Sequence, residues 1–114
     1  HILPAKGIVP VIITGRNSEI VSQRAKELHV TELHQGISDK LAKLKEVAEK
    51  YDATPREIAY IGDDLNDLPC IQYCGVTAAP ADAVPRVLEA VYYNCRHLGG
   101  RGAVREFIDY LLNV

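Results

Sequence analysis

No apolar stretch in this sequence approaches the roughly 20 residues that a membrane-spanning helix needs, so no membrane partner is expected. No charge of one sign dominates either. Thirteen Lys and Arg stand against 15 Asp and Glu, and a net charge of −2 offers no electrostatic footprint for nucleic acid. Cysteine is sparse: Cys70, Cys74 and Cys95 are odd in number and follow no disulfide-framework spacing, which points to a reducing cytoplasm. No charged-then-apolar signal segment opens the chain, although it begins with His1 rather than methionine. There is no internal repeat, low-complexity tract or linker. At 114 residues, 47% of them hydrophobic, the chain has the length for one globular domain spanning 1–114 and not for two.

What is present is alternation. Val9 to Thr14 is a β-branched run closed by Gly15, as a buried parallel strand would be. From Asn17 the pattern turns helical, with Ile20, Val21, Ala25 and Leu28 on one face. Thr31 to His34 is a short strand, and Ser38 to Tyr51 a helix with Leu41, Leu44, Val47 and Ala48 at helical spacing. Thr54-Pro55-Arg56-Glu57 has the form of a helix opener. Ile58 to Ile61 is the next strand, and a helix through Asp67 to Tyr73 is expected to end on Gly75 as a C-cap glycine. A strand at Val76–Ala79, a helix over Val84–Glu89 and an edge strand over Ala90–Tyr93 follow. The Gly99–Gly102 loop leads to a closing helix, Ala103 to Leu112, with Val104, Phe107, Ile108 and Leu111 inward. Strands alternating with helices at this spacing predict a Rossmann-like α/β fold: a mostly parallel sheet with helices on both faces.

Ligands of such sheets bind beyond the carboxyl ends of the strands, where the informative residues of this chain fall. Thr14-Gly15-Arg16 combines a hydroxyl, a residue that admits close backbone approach, and a guanidinium. Those parts suit a phosphoryl group, although Thr-Gly at a strand end is also common in turns. Gly62-Asp63-Asp64-Leu65-Asn66-Asp67 places three carboxylates within five residues. A divalent cation with oxygen ligands would neutralise them, and magnesium takes one or two carboxylates together with waters and phosphate oxygens. The alternative is a turn whose aspartates cap the next helix. Lys40 opens the long helix, where its charge opposes the helix dipole; it reaches back toward the strand ends, or is one surface lysine among Lys43, Lys45 and Lys50. Cys70 and Cys74, four apart, read as buried thiols rather than as half of a metal site.

The order Thr-Gly-Arg, then Lys at a helix start, then Gly-Asp-Asp-x-x-Asp resembles motifs two to four of haloacid dehalogenase phosphatases. Ile12 to Arg16, Gln35-Gly36 with Asp39-Lys40, Ala59 to Asp64, Pro80 to Ala83 and Gly99 to Glu106 resemble one branch more closely, the 3-deoxy-D-manno-octulosonate 8-phosphate phosphatases. The chain also resembles the C-terminal module of some acylneuraminate cytidylyltransferases. The branch implies a cytoplasmic, magnesium-dependent phosphatase for a sugar-acid phosphate, serving lipopolysaccharide biosynthesis and homotetrameric when intact. The fused module implies a non-catalytic or accessory role beside a sialic-acid-activating enzyme.

Carried over by resemblance, the catalytic set is Thr14, Lys40, Asp63 and Asp67, and the metal ligands are Asp63 and Asp64, with Asp67 in or just behind the metal shell. Thr14, Gly15, Arg16, Lys40 and Arg101 would bind substrate, Thr14 and Gly15 at the phosphoryl group and Arg101 near a carboxylate or a subunit boundary. The family's first motif, Asp-x-Asp-Gly on a central strand, supplies the nucleophile and the general acid/base, and no Asp-x-Asp occurs in these 114 residues. The expected architecture is therefore the haloacid dehalogenase fold truncated at its N-terminus and lacking its first, central strand. Two half-sheets would be left without their shared neighbour.

Overall fold

The computed structural model describes residues 11–14, 19, 22–23, 26, 30, 32–99 and 102–112. The chain divides into two compact units, His1–Leu44 and Lys45–Val114. In the first, β1 (Val11–Ile13) and β2 (Glu32–His34) pair in parallel, Val11 opposite Glu32 and Ile13 opposite His34. The ladder runs one step further, Thr14 N–H donating to the His34 carbonyl at 2.9 Å. The Thr14 carbonyl in turn accepts from Ile37 N–H at 3.0 Å. Gly36 permits that return, because its φ of 68° lies in the region side chains resist. Helix α1 (Lys40–Lys50) begins where the Asp39 carboxylate accepts from Ala42 N–H at 3.0 Å, an N-cap. The helix expected from Asn17 to Leu28 lies largely outside the described residues.

α1 closes within the second unit. Ala53 N–H reaches the Ala48 carbonyl and Asp52 N–H that of Glu49, a Schellman arrangement with Asp52 (φ 54°) where glycine is usual. A parallel sheet follows in the order β3 (Ala59–Ile61), β4 (Val76–Ala79), β5 (Tyr93–Asn94). Successive side chains of a strand face opposite ways, so β4 serves two cores at once. Ala79 joins Ile71, Ala83 and Val87 on one face, with Tyr60, Leu68 and Leu88 packed around them. Ala78 joins Cys95, Ala103 and Phe107 on the other, with Ile61, Tyr93 and Tyr110 beside them. Helices α2 (Leu68–Tyr73) and α3 (Pro85–Ala90) cover the first face, and α4 (Ala103–Leu112) covers the second. Tyr93 stacks on Tyr110 with ring centroids 4.3 Å apart. Parallel strands with helices on both faces are what the alternation predicted. The described strands form two hydrogen-bonded sets rather than one sheet, in keeping with two half-sheets.

Several details differ from expectation. The helix over Asp67–Tyr73 is a 3-10 turn, Leu65–Asp67, followed by α2. The edge strand lies at Tyr93–Asn94, because α3 runs on through Ala90. Val104 is 47% exposed, and Ala103 takes the inward position beside Phe107. Tyr93 packs as an edge-strand residue should, but Tyr92 is 76% exposed. Gly75 is not a left-handed C-cap: α2 ends on an extended Cys74. Its role is close approach. A Cβ there would lie 2.8 Å from the Arg56 Cα and carbonyl oxygen, while its N–H donates to the Pro55 carbonyl at 2.8 Å.

Gly75→Ala must therefore force two backbone segments apart, and the expected cost is about 1–3 kcal/mol. Gly99→Ala is the control, since its added Cβ meets neighbours only at 3.5 Å and beyond. Urea unfolding midpoints of the two variants should separate accordingly.

Candidate active site at the strand ends

Three loops leave the carboxyl edge of the sheet in the second unit, after β3, β4 and β5, and they are tied to one another. Val84 N–H donates to the Asp63 carbonyl at 3.0 Å, joining the first loop to the second. Ala81 N–H donates to the His97 carbonyl at 2.8 Å, and Gly99 N–H to Asp82 Oδ1 at 2.8 Å, joining the second to the third.

Within the first loop the aspartates divide their work. Asp67 is 2% exposed, and burying a carboxylate is costly unless donors meet it. Tyr60 Oη donates to Oδ1 at 2.5 Å, while Oδ2 accepts from Asp63 N–H at 3.0 Å and Asp64 N–H at 3.2 Å. Burial, and next the Asp67 carboxylate, hold the Tyr60 phenol far above its ordinary pKa, so it remains a donor at any physiological pH. Gly62 leaves room for this carboxylate: a Cβ there would lie 2.6 Å from the Asp67 Cβ and 2.7 Å from its Cγ. Asp64 caps the turn, its Oδ1 accepting from Leu65 N–H at 2.7 Å. Asp63 is exposed, and its carboxylate accepts no hydrogen bond among the described residues.

Asp67, expected in the catalytic set, is turned inward. Its carboxylate holds the loop behind Asp63, and its oxygens face main-chain donors and the Tyr60 phenol. Of the two readings of the cluster, helix-turn capping describes Asp64, while Asp63 stays open to solvent. Among the described residues no three His, Cys, Asp or Glu side chains converge on one point. Magnesium does not require that, since one or two carboxylates with waters suffice. The donor set fits the ion: Asp63 with neighbouring Asp64 would hold it.

In the first unit Thr14 ends β1 half-buried, and its carbonyl is bonded to the segment that leads into α1. Lys40 occupies the first position of α1, also half-buried. Gly15, Arg16 and Arg101 lie outside the described residues.

A family model described as haloacid dehalogenase-like hydrolase matches residues 29–108. The chain belongs to that family. Among other haloacid dehalogenase-like proteins, the 3-deoxy-D-manno-octulosonate 8-phosphate phosphatase of Yersinia pestis is 46% identical over 101 residues, covering 89% of this chain and 54% of the relative. The chain thus spans about half the length of the curated relatives it matches. The 3-deoxy-D-manno-octulosonate 8-phosphate phosphatase of Moraxella catarrhalis, solved in complex with a magnesium ion, a phosphate ion and a KDO molecule, aligns with a TM-score of 0.91. It is 37% identical, over 97% of this chain and 62% of that one. The cobalt-bound deoxy-D-mannose-octulosonate 8-phosphate phosphatase of Haemophilus influenzae gives 0.90 at 33% identity, over 98% and 66%.

A second buried-side carboxylate organises the third loop of this haloacid dehalogenase-like chain. Glu106 accepts from the Tyr93 hydroxyl at 2.6 Å, Arg96 N–H at 2.9 Å and His97 N–H at 3.0 Å, and pairs with His97 Nδ1 at 2.7 Å. The sequence motif contained Glu106 and Asp82 without giving either a role; an acidic side chain in a helix's first turn was the available signal. Burial pushes Cys74 up to about 12 and Cys95 up to about 11, leaving neither as thiolate at neutral pH.

The Tyr93 hydroxyl above all, with the His97 and main-chain donors, pulls Glu106 down from the usual 4.5 to about 2. A depressed carboxylate stabilises the fold at pH values above its unfolded pKa, and that contribution drains away as pH falls toward the folded value. The chain should therefore lose stability between about pH 4.5 and about 2 through this group, and Glu106→Gln should flatten that part of the profile. Thermal midpoints of both proteins across the acid range check this.

Proposed function

We propose that this chain forms the larger part of a magnesium-dependent phosphomonoesterase that releases phosphate from a sugar-acid phosphate such as 3-deoxy-D-manno-octulosonate 8-phosphate. The observation that carries the reading is Asp63. It stands at the carboxyl end of a parallel strand, its N–H held by Asp67 and its carbonyl by Val84 N–H, with its carboxylate exposed and unused by the described residues. Relatives solved with magnesium, phosphate and KDO, or with cobalt, support a metal-dependent sugar-phosphate phosphatase. With magnesium held by Asp63 and Asp64, the ion supplies positive charge to a transferring phosphoryl group. Thr14 would hydrogen-bond that group through its hydroxyl, Gly15 through its N–H, Arg16 and Lys40 would add positive charge, and Arg101 would meet the sugar's carboxylate. The single-domain reading of residues 1–114 and a tetrameric intact protein belong to the same proposal. Three free thiols accord with work in a reducing cytoplasm. The accessory-module reading gains nothing from the relatives named, which are phosphatases.

Phosphoryl transfer in this reading begins on an aspartate of an Asp-x-Asp-Gly segment outside these 114 residues. Its carboxylate oxygen bonds to phosphorus, the sugar oxygen departs with a proton from the second aspartate, and water then cleaves the aspartyl-phosphate. Thr14, Lys40 and Asp63 bind and orient without supplying that oxygen.

The 114-residue chain should consequently release no phosphate from octulosonate 8-phosphate above background, and adding the Asp-x-Asp-Gly segment in cis or as a peptide should restore turnover. A phosphate-release assay on both forms checks this; magnesium-dependent turnover by the chain alone contradicts it. Asp63→Asn should weaken magnesium binding by at least the roughly 10–100-fold that loss of an outer-shell partner costs, read by titration calorimetry. Unchanged affinity removes Asp63 from the metal shell.

A further inference from the structure

Asp63 could meet a ligand only if its backbone is held while its side chain is left open. Its carbonyl is held from the β4 loop by Val84 N–H at 3.0 Å, and its N–H from within by Asp67 Oδ2 at 3.0 Å. From outside the loop, Tyr60 donates to Asp67. Tyr60 lies on β3 with its ring against the core around Ile71, Ala79, Ala83 and Val87, so the phenol cannot swing freely. Its hydroxyl reaches Oδ1 of Asp67. Gly62 closes the other side, with no space between its Cα and the Asp67 side chain for even a methyl group. One carboxylate is thus clamped between a strand tyrosine and two loop amides, and the residue proposed to bind metal is built on those amides.

We infer that Tyr60 is a positioning residue for the metal site, acting through Asp67 on Asp63. The inference rests on the proposed role of Asp63 as a magnesium ligand. Tyr60 touches neither metal nor substrate in it. Its hydroxyl keeps Asp67 in an orientation that presents Oδ2 to Asp63 N–H and Asp64 N–H, which fixes the backbone that carries the two carboxylates before the ion arrives. Outer partners that orient ligands in this way typically carry about 10–100-fold in metal affinity.

Tyr60→Phe removes the hydroxyl and keeps the packed ring. Magnesium titration calorimetry on the chain carrying its Asp-x-Asp-Gly segment should show an affinity about tenfold or more below wild type. Tyr93→Phe, which removes the other tyrosine-carboxylate contact, at Glu106, should leave magnesium affinity unchanged. Hydrogen exchange at the Asp63 and Asp64 amides should quicken in Tyr60→Phe alone, and saturating magnesium should return kcat toward wild type. Where Tyr60→Phe does not fold, Asp67→Asn, which keeps the shape and removes the charge, should show the same loss of affinity. Wild-type magnesium affinity in a folded Tyr60→Phe, or in Asp67→Asn, overturns the inference. If Asp63→Asn loses magnesium while Tyr60→Phe keeps it, the metal site stands and the positioning role alone fails. If the wild-type protein takes up no magnesium, or Asp63→Asn binds it equally well, both fail.

Discussion

A carboxylate taken out of water has to be met by donors, and around Asp67 the loop itself supplies them. The Asp63 and Asp64 amides, with the Tyr60 hydroxyl, surround the two oxygens of a side chain that is 2% exposed. Because the donors come from the peptide immediately after β3, satisfying the charge also sets the path of that peptide. Gly62 is a consequence of the same demand, since any side chain there would occupy the space of the Asp67 Cβ. The open position of Asp63 follows from it as well: with Asp67 facing inward and Asp64 capping the turn, Asp63 is the exposed carboxylate left without a hydrogen bond among the described residues.

The β5 end repeats the device. Glu106 gathers a tyrosine hydroxyl and the amides of Arg96 and His97, so a loop that leaves the sheet edge is again pinned by a carboxylate on the element that follows it. Asp82, in the loop after β4, likewise holds the Gly99 N–H. A loop bearing binding residues gains precision when its amides are tied to charges rather than to water, because charge-assisted bonds are shorter and stronger than neutral ones. The carboxyl edge of this half-sheet is therefore a preorganised surface, which is what the proposed phosphoryl transfer would ask of a protein that contributes mostly position and electrostatics.

The core below that edge explains how so short a sheet supports it. Ala78 and Ala79 are consecutive and fully buried, each at the centre of a different face. Their size brings helices close on both sides, and the larger side chains, Phe107 and Tyr93 on one face and Tyr60 on the other, fill the periphery. Tyr60 belongs at once to that packing and to the polar network, and so links the core to the loop.

The residues alone determined the α/β class, the parallel pairing and the strands near their observed positions, because β-branched runs and helical periodicity are local properties that burial then reinforces. They also placed the aspartate cluster at a strand end and marked Asp39-Lys40 as a helix start. What they left undecided was which aspartate does what. Asp63, Asp64 and Asp67 are chemically the same side chain, and only the fold distinguishes them, by directing one into the Tyr60 hydroxyl, one onto its own turn and one to solvent. Gly75 and Val104 were misplaced for the same kind of reason. A left-handed cap and a close approach to the Arg56 backbone both call for glycine, and an apolar helix face read one residue out of phase looks much the same in sequence. Distances between segments far apart in the chain separate such cases, and those distances exist only once the chain has folded.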